Sequence, residues 1–431
     1  MYTAIITAAI TCLAMILAVL FLPKIKIGKF SVSSYWVVTV LGALSLFITG
    51  TVDVGAVCAS LVADNAINPL KILVLFISMT VLSIFLDELG FFRYLASWAL
   101  KRAGVSQMKL FVLLYATVSV LTVFTSNDII ILSFTPFVCY FAKNAHINPI
   151  PYLAAEFVAA NTWSMALIIG NPTNIYLVTA AGGDFLSYLK IMLLPTLASG
   201  VVACLFLFLM FRKMLSSPIE ATPDDVVIED KLLLRIGIAH LAVCTLVLAV
   251  GSYIGIEMWL VSLLSVVSLF VFNIIIGAVR KKSPAPLLAC LKRAPWELIP
   301  FVISMFVIVE ALGVTGVTGE IFNLLGQSMP IWKYGIGSFL ASNLINNIPM
   351  SVLFSSILSG FSSSTAAVYA TVVGSNLGAC LTPIGALAGI MWSSILREHN
   401  LKFGYLDFLK IGVCAAIPAL VCALGVLDII L

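Results

Sequence analysis

Four polar runs interrupt the apolar stretches of this sequence, and each carries side chains able to bind a small polar solute. They are Thr125-Ser126-Asn127-Asp128, Gly170-Asn171-Pro172-Thr173-Asn174, Ser342-Asn343-Leu344-Ile345-Asn346-Asn347-Ile348-Pro349, and Gly374-Ser375-Asn376 followed by Thr382-Pro383. Asn amides and Ser or Thr hydroxyls both donate and accept hydrogen bonds. Pro frees a carbonyl one turn upstream and Gly permits unwinding. Irregular backbone at membrane depth is tolerated where it is buried in protein or lines a cavity, so such runs point to a site.

Ser126, Asn127, Asn171, Thr173, Asn346, Asn347, Ser375, Asn376 and Thr382 are therefore read as solute-binding residues. Asp128 stands apart, because an ionisable group at this depth is costly without a function. It is expected to exchange a proton or carry a cation. Helix capping, a proline kink and helix–helix hydrogen bonds are the structural uses open to the same residues. The runs hold one acid and no Lys or Arg, which favours a neutral or weakly charged solute over an anion. Among the other acids, Glu156 is read as reaching the interface, and Asp87 and Glu310 as capping short interfacial helices at opposite faces.

No metal site or cofactor is expected. His146 and His240 read as peripheral and His399 as a loop residue, and the nine cysteines show no CxxC or Cys/His spacing. They read as small buried hydrophobes without a disulfide framework. No GxxxxGK[ST] loop or nucleophile–base pair occurs, so neither ATP hydrolysis nor another enzymatic activity is expected. No nucleic-acid partner is expected either.

The elements that must position these runs belong to a membrane. Of 431 residues, 62% are hydrophobic and 10% charged, against about 25% charged in soluble domains. A spanning helix needs about 20 apolar residues. Such stretches run over 2–22, 34–50, 70–88, 108–142, 151–180 and 188–211, and again over 232–251, 257–278, 297–313, 333–360, 366–395 and 404–431. The first has no basic segment before it and no small-residue cleavage site after it, so it reads as a retained helix.

The two series share one plan. Asp87-Glu88-Leu89-Gly90 lies over Glu310-Ala311-Leu312-Gly313, 125–129 over 344–348, and Ser164 with Pro172 over Ser375 with Pro383. The expected fold is an all-α polytopic membrane protein of two inverted repeats. Residues 1–211 form the first, with hairpin 108–142 and broken helix 151–180. Residues 212–235 form a cytoplasmic linker, and 236–431 form the second repeat, with hairpin 333–360 and broken helix 366–395. Each repeat then has about five crossings and one re-entrant hairpin, some ten crossings in all, or about twelve if the hairpins span. Lys24, Lys26, Lys29 and most other Lys and Arg fall on one side, which excess of basic loops marks as cytoplasmic. Both termini then lie outside. Segments 91–103 and 317–325 read as short amphipathic helices lying along the interface.

Several of these runs resemble the arsenite/antimonite permeases, the arsenical resistance efflux pumps of the ion transporter superfamily. The resemblance rests on 376–392 with its Thr382-Pro383-Ile384-Gly385 and Trp392, the following 396–404, Leu86-Asp87-Glu88-Leu89-Gly90-Phe91-Phe92-Arg93, Ser126-Asn127-Asp128, and Asn346-Asn347-Ile348-Pro349. It implies efflux of arsenite or antimonite against proton entry across the cytoplasmic membrane, on a scaffold with a moving transport region. It leaves open a cytoplasmic ATPase subunit and a homodimer. Gly170 to Asn174 is nearer to the turn of the wider superfamily, so a sodium-coupled carrier of carboxylates or other small anions, or a sodium/proton antiporter, stays open on the same fold.

Overall fold

The computed structural model describes residues 1–27, 30–63, 68–219, 226–251, 254–360 and 364–431. Lys29 and the middle of the central linker, 220–225, lie outside the described residues. The chain is nearly all helical. The first half comprises α1 (Tyr2–Phe21), α2 (Ser34–Ile48), α3 (Val54–Val62), α4 (Pro69–Glu88), α5 (Phe91–Ala103), α6 (Gln107–Phe124), α7 (Asn127–Asn144), α8 (Ile150–Trp163), α9 (Pro172–Ala180) and α10 (Phe185–Phe211). The second comprises α11 (Lys231–Gly251), α12 (Met258–Arg280), α13 (Ala285–Arg293), α14 (Leu298–Val314), α15 (Val317–Leu325), α16 (Pro330–Ile345), α17 (Asn347–Gly360), α18 (Thr365–Gly378), α19 (Leu387–Glu398) and α20 (Tyr405–Ile430).

Matched in order, the α-helices of the two halves correspond one to one. They also exchange partners: α4 packs on α12 while α14 packs on α2, and α7 packs on α19 while α17 packs on α9. The long helices α10 and α20, which occupy equivalent places, pack on each other. The expected amphipathic segments form α5 and α15, each entered through a left-handed glycine, Gly90 and Gly316. These glycines correspond, so the alignment of Gly90 with Gly313 in the sequence reading is displaced by about one turn. Glu310 consequently sits deeper in α14 than Asp87 does in α4.

A small antiparallel hairpin, β1 (Lys24–Ile27) with β2 (Phe30–Ser33), occupies what reads in the sequence as a plain basic loop, in register Lys24 to Ser33. The alternation of Lys24, Ile25, Lys26 and Ile27 is its signature. The nine-residue helices α3 and α13 likewise occupy stretches that read in the sequence as loops.

Eight described helical stretches are long and apolar enough to cross a bilayer. They include α6, which the sequence assigns to a hairpin, because its 18 residues rise about 27 Å. The shorter α2, and α8 with α9 and α18 with α19 as broken pairs, fall below that length criterion. Ile48, Val279 and Leu324 are among many large apolar side chains left exposed. Such a surface matches lipid rather than water.

Close helix crossings depend on missing side chains. A Cβ on Gly374 of α18 would lie 2.1 Å from the Gly335 carbonyl oxygen of α16, and one on Gly200 of α10 would lie 2.6 Å from the Trp163 ring. Small residues let helices approach to this degree. Gly374→Val is expected to destabilise the α16–α18 crossing by about 1–3 kcal/mol, seen as a lower melting temperature and a smaller monodisperse fraction in detergent gel filtration. Gly425→Ala, where nothing lies within 4 Å, is expected to leave both unchanged.

Candidate functional site

Each polar run falls where a helix stops. The first separates α6 from α7 at residues 125–126, and the third separates α16 from α17 at Asn346, whose φ is +73°. The second and fourth unwind the broken pairs over 164–171 and 379–386. Gly170 is required in the second because a Cβ there would meet the Ser164 carbonyl oxygen at 2.2 Å.

The first unwound segment is joined to α18, just before the second, through amides. Asn171 Nδ2 donates to Asn376 Oδ1 at 2.9 Å, and Asn376 Nδ2 donates to Asn174 Oδ1 at 2.6 Å. The Ser164 hydroxyl lies 2.8 Å from the same Asn376 Oδ1. Asn174 in turn donates to the Ser164 and Leu167 carbonyls, at 2.8 and 3.1 Å, holding the break in shape. All four side chains are buried. Asn171 also caps α9, accepting from Thr173 N at 3.1 Å.

The hairpin tips attach to the same region. Asn127 Nδ2 donates to Asn161 Oδ1 of α8 at 3.1 Å. Asn346 Nδ2 donates to the Ile384 carbonyl at 3.0 Å, and the Asn347 backbone N–H donates to the Gly385 carbonyl at 2.9 Å. Thr382 Oγ1 donates to Asn343 Oδ1 at 2.6 Å.

Partnerless atoms in this shell are more informative. Ser126 Oγ, Asn127 Oδ1, Thr173 Oγ1, Asn347 Oδ1 and Ser375 Oγ are all buried without a hydrogen-bond partner. A buried polar atom left unpaired costs about 1–3 kcal/mol, and these five fall on residues singled out by sequence, while others, such as Trp36 Nε1 and Thr80 Oγ1, lie elsewhere. Ser126 stands at the N-terminal boundary of α7 but makes no side-chain cap. Simple capping therefore does not account for it.

Asp128 faces elsewhere. It lines a cavity of about 410 Å³ together with Lys24, Arg293, Glu297, Arg397 and Glu398. No ion pair joins it to another described residue. The sequence offers no evident cation near this acid, whereas folding brings three into its cavity from the β1 strand, α13 and α19. Pro136 in α7 leaves the Leu132 carbonyl without its helical donor, and Leu132 lines that cavity as well.

Other acids depart from expectation. Glu156 is fully buried and does not reach an interface: its Oε1 accepts from Thr135 Oγ1 at 2.8 Å and its Oε2 has no partner. Asp87 does not cap α5 but accepts from Arg293 Nη2 at 2.7 Å, and Glu88 bonds the same guanidinium. Glu310 does not cap α15, whose Gly316 boundary has no side-chain cap. Among the described residues no group of three His, Cys, Asp or Glu side chains could hold a metal ion.

Asn161, Ser164, Asn174 and Asn343 are hydrogen-bonded to the candidate residues Asn127, Asn376 and Thr382 although the nine candidate positions omit them. Asn161 was recoverable as a lone amide in an apolar helix, and the others stand inside or beside the polar runs. Arg293 and Arg397 left no such signal, since each reads as an ordinary basic loop residue.

A helical, multi-pass chain whose buried centre is made of interrupted helices and unsatisfied amides is a membrane transporter by class. It belongs to the citrate transporter family, whose pattern matches residues 4–373. Over 422 residues it is 29% identical to the arsenical pump membrane protein of Escherichia coli strain K12, covering 90% of this chain and 91% of that protein. It is 24% identical to the putative arsenical pump membrane protein of Bacillus subtilis, covering 86% and 88%. Its fold is similar to the crystal structure of the Alcanivorax borkumensis YdaH transporter, described as having an unusual topology, with a TM-score of 0.56, 15% identity, and coverage of 100% and 98%. The family and these relatives are transporters and pumps rather than enzymes.

Asn376→Leu is expected to strand the Asn171 and Asn174 amides and to lower stability by about 1–3 kcal/mol per unpaired group. Thermal unfolding of the purified variant followed by intrinsic tryptophan fluorescence checks this.

Proposed function

We propose that this chain is a proton-coupled exporter of trivalent arsenic or antimony hydroxides across the cytoplasmic membrane. The observation that carries the reading is the set of five unpartnered atoms on Ser126, Asn127, Thr173, Asn347 and Ser375, none of them cationic. Hydroxyls and amides of this kind suit a neutral trihydroxide, which both donates and accepts hydrogen bonds. The names of the relatives from Escherichia coli and Bacillus subtilis support the same solute class.

In this reading the halves are inverted repeats, 1–211 and 236–431, joined by 212–235. The hairpins 108–142 and 333–360 enter from opposite sides and both termini lie outside. Ser126, Asn127, Asn171, Thr173, Asn346, Asn347, Ser375, Asn376 and Thr382 surround the solute. Asn171 and Asn376 hold the site's shape through their mutual bond. Asp128 exchanges the proton, taking it up as solute leaves, so one charge-bearing step drives a neutral cargo.

The second reading, a sodium-coupled carrier of carboxylates, is favoured by one feature: Arg293, Arg397 and Lys24 line the Asp128 cavity. Dependence of uptake on sodium, and competition by citrate, separates it from the first.

Asp128→Asn keeps the shape of the side chain and removes its titration. Arsenite uptake into everted vesicles energised to an acid interior is expected to fall to background in this variant. Uptake that keeps its wild-type proton dependence would overturn the role of Asp128. Replacing all nine cysteines is expected to preserve arsenite resistance in an export-deficient host, because thiolate ligation would hold trivalent arsenic too tightly for release. Loss of resistance with Cys380→Ser alone would contradict the hydroxyl-and-amide site.

A further inference from the structure

A second cavity repeats the construction of the one at Asp128. It measures about 100 Å³ and is lined by Ser60, Tyr176, Phe306, Val309, Glu310, Val352, Ser355 and Ser356. These residues come from α3, α9, α14 and α17. The Asp128 cavity takes lining residues from α13, α19, α4 and α7, the elements that occupy the same places in the opposite half. The two cavities lie toward opposite ends of α14. Leu298 at its start lines one and Glu310 lines the other, and the helical rise between them is about 18 Å.

Two of the polar groups of this second cavity, Glu310 and Tyr176, are not tied up by the protein, whereas the Ser355 hydroxyl donates to the Val352 carbonyl at 2.8 Å. Glu310 forms no ion pair with a described residue. Tyr176 is 2% exposed and its hydroxyl lacks a hydrogen-bond partner. Glu310 and Tyr176 are the only titratable residues among those lining the cavity. On the elements packed around α14, the titratable groups are Tyr2 and Cys12 of α1, Tyr35 of α2, Cys58 of α3, Lys71, Asp87 and Glu88 of α4, and Glu320 of α15. None of these lines the cavity.

We propose that Glu310 and Tyr176 form a second proton station, at the end of the molecule opposite Asp128. The inference rests on the proton-coupled reading above. Glu310 stands on α14, which packs against α2 and α17, Ser60 stands on α3, and Tyr176, Ser355 and Ser356 stand on a broken helix and a hairpin. Relative motion of α14 and those last two elements changes how the carboxylate is solvated. A water occupies about 30 Å³, so the cavity admits a few waters that link the acid to the surface. The step balances simply: the carboxylate takes a proton from hydronium and leaves water, and returns it when the cavity opens. In the charged state Tyr176 donates to the carboxylate. In the neutral state the acid donates to a serine hydroxyl or a water.

Two measurements test this. In proteoliposomes, Glu310→Gln is expected to lower gradient-driven arsenite uptake about tenfold or more, while arsenite counterflow without a gradient stays near wild type. With purified protein and a pH indicator, the same variant is expected to bind about one proton fewer per chain between acid and neutral pH, a readout that needs no arsenite. Tyr176→Phe is expected to shift the pH midpoint of uptake without abolishing counterflow, and Glu310→Asp to restore part of the gradient-driven rate. Unchanged proton binding in Glu310→Gln, or equal loss of uptake and counterflow in both Glu310→Gln and Tyr176→Phe, would overturn the station. Should Glu310→Gln fail to fold, Tyr176→Phe decides: a wild-type pH profile in that variant also overturns it. If wild-type protein moves no arsenite in response to a proton gradient, the functional reading fails, and the proton-binding measurement still decides whether Glu310 titrates.

Discussion

The fold depends on one constraint: an amide or hydroxyl withdrawn from water must find a partner inside the protein. The Asn171–Asn376–Asn174 linkage meets that constraint across the two halves of the chain. Without it, the unwound segment at 164–171 would leave polar groups stranded at a depth where water is scarce, and the segment at 379–386 is held in the same way by Asn343, Asn346 and Asn347. With it, the breaks become fixed points around which apolar helices pack. Gly170 then allows the tight turn inside the first break, and Gly374 and Gly335 allow the close approaches of α18 to α16 and of α16 to α20.

The linkage satisfies some polar atoms and leaves others unsatisfied, and in the proposed reading that division separates scaffold from site. Asn174, Asn343 and Ser164 spend their hydrogen bonds on the protein. Ser126, Asn127, Thr173, Asn347 and Ser375 each keep an atom in reserve. A network in which every member was paired would be rigid and inert. In the proposed reading the reserved atoms give a polar solute something to replace, and they belong to both hairpins and both broken helices.

Much of this was legible in the sequence because a membrane makes polar residues conspicuous. Asn127, Asn171, Asn347 and Ser375 stand out against runs of Ile, Leu and Val, and the breaks fall at the Pro, Gly and Asn residues that mark them. Order of elements was legible for the same reason. What escaped has a common cause in long-range contact. The alignment of the halves slipped by about a turn at Glu310, since helical periodicity tolerates such a shift. Arg293 looked like one more basic loop residue until folding set it against Asp87 and Glu88 and beside the cavity of Asp128. Glu156 read as an interfacial acid, yet α7 closes over it and supplies Thr135. The β1–β2 hairpin was hidden by a reading tuned to helices.

The central claim is that the reserved amides and hydroxyls, and not thiols, hold the solute. It is tested most directly by locating the metalloid itself, through anomalous scattering at the arsenic or antimony edge from crystals grown with arsenite or antimonite. The account predicts a single strong peak within hydrogen-bonding reach of Asn127, Thr173, Asn347 and Ser375. A peak bonded to a cysteine sulfur, or one in the Asp128 cavity away from all four, would contradict it.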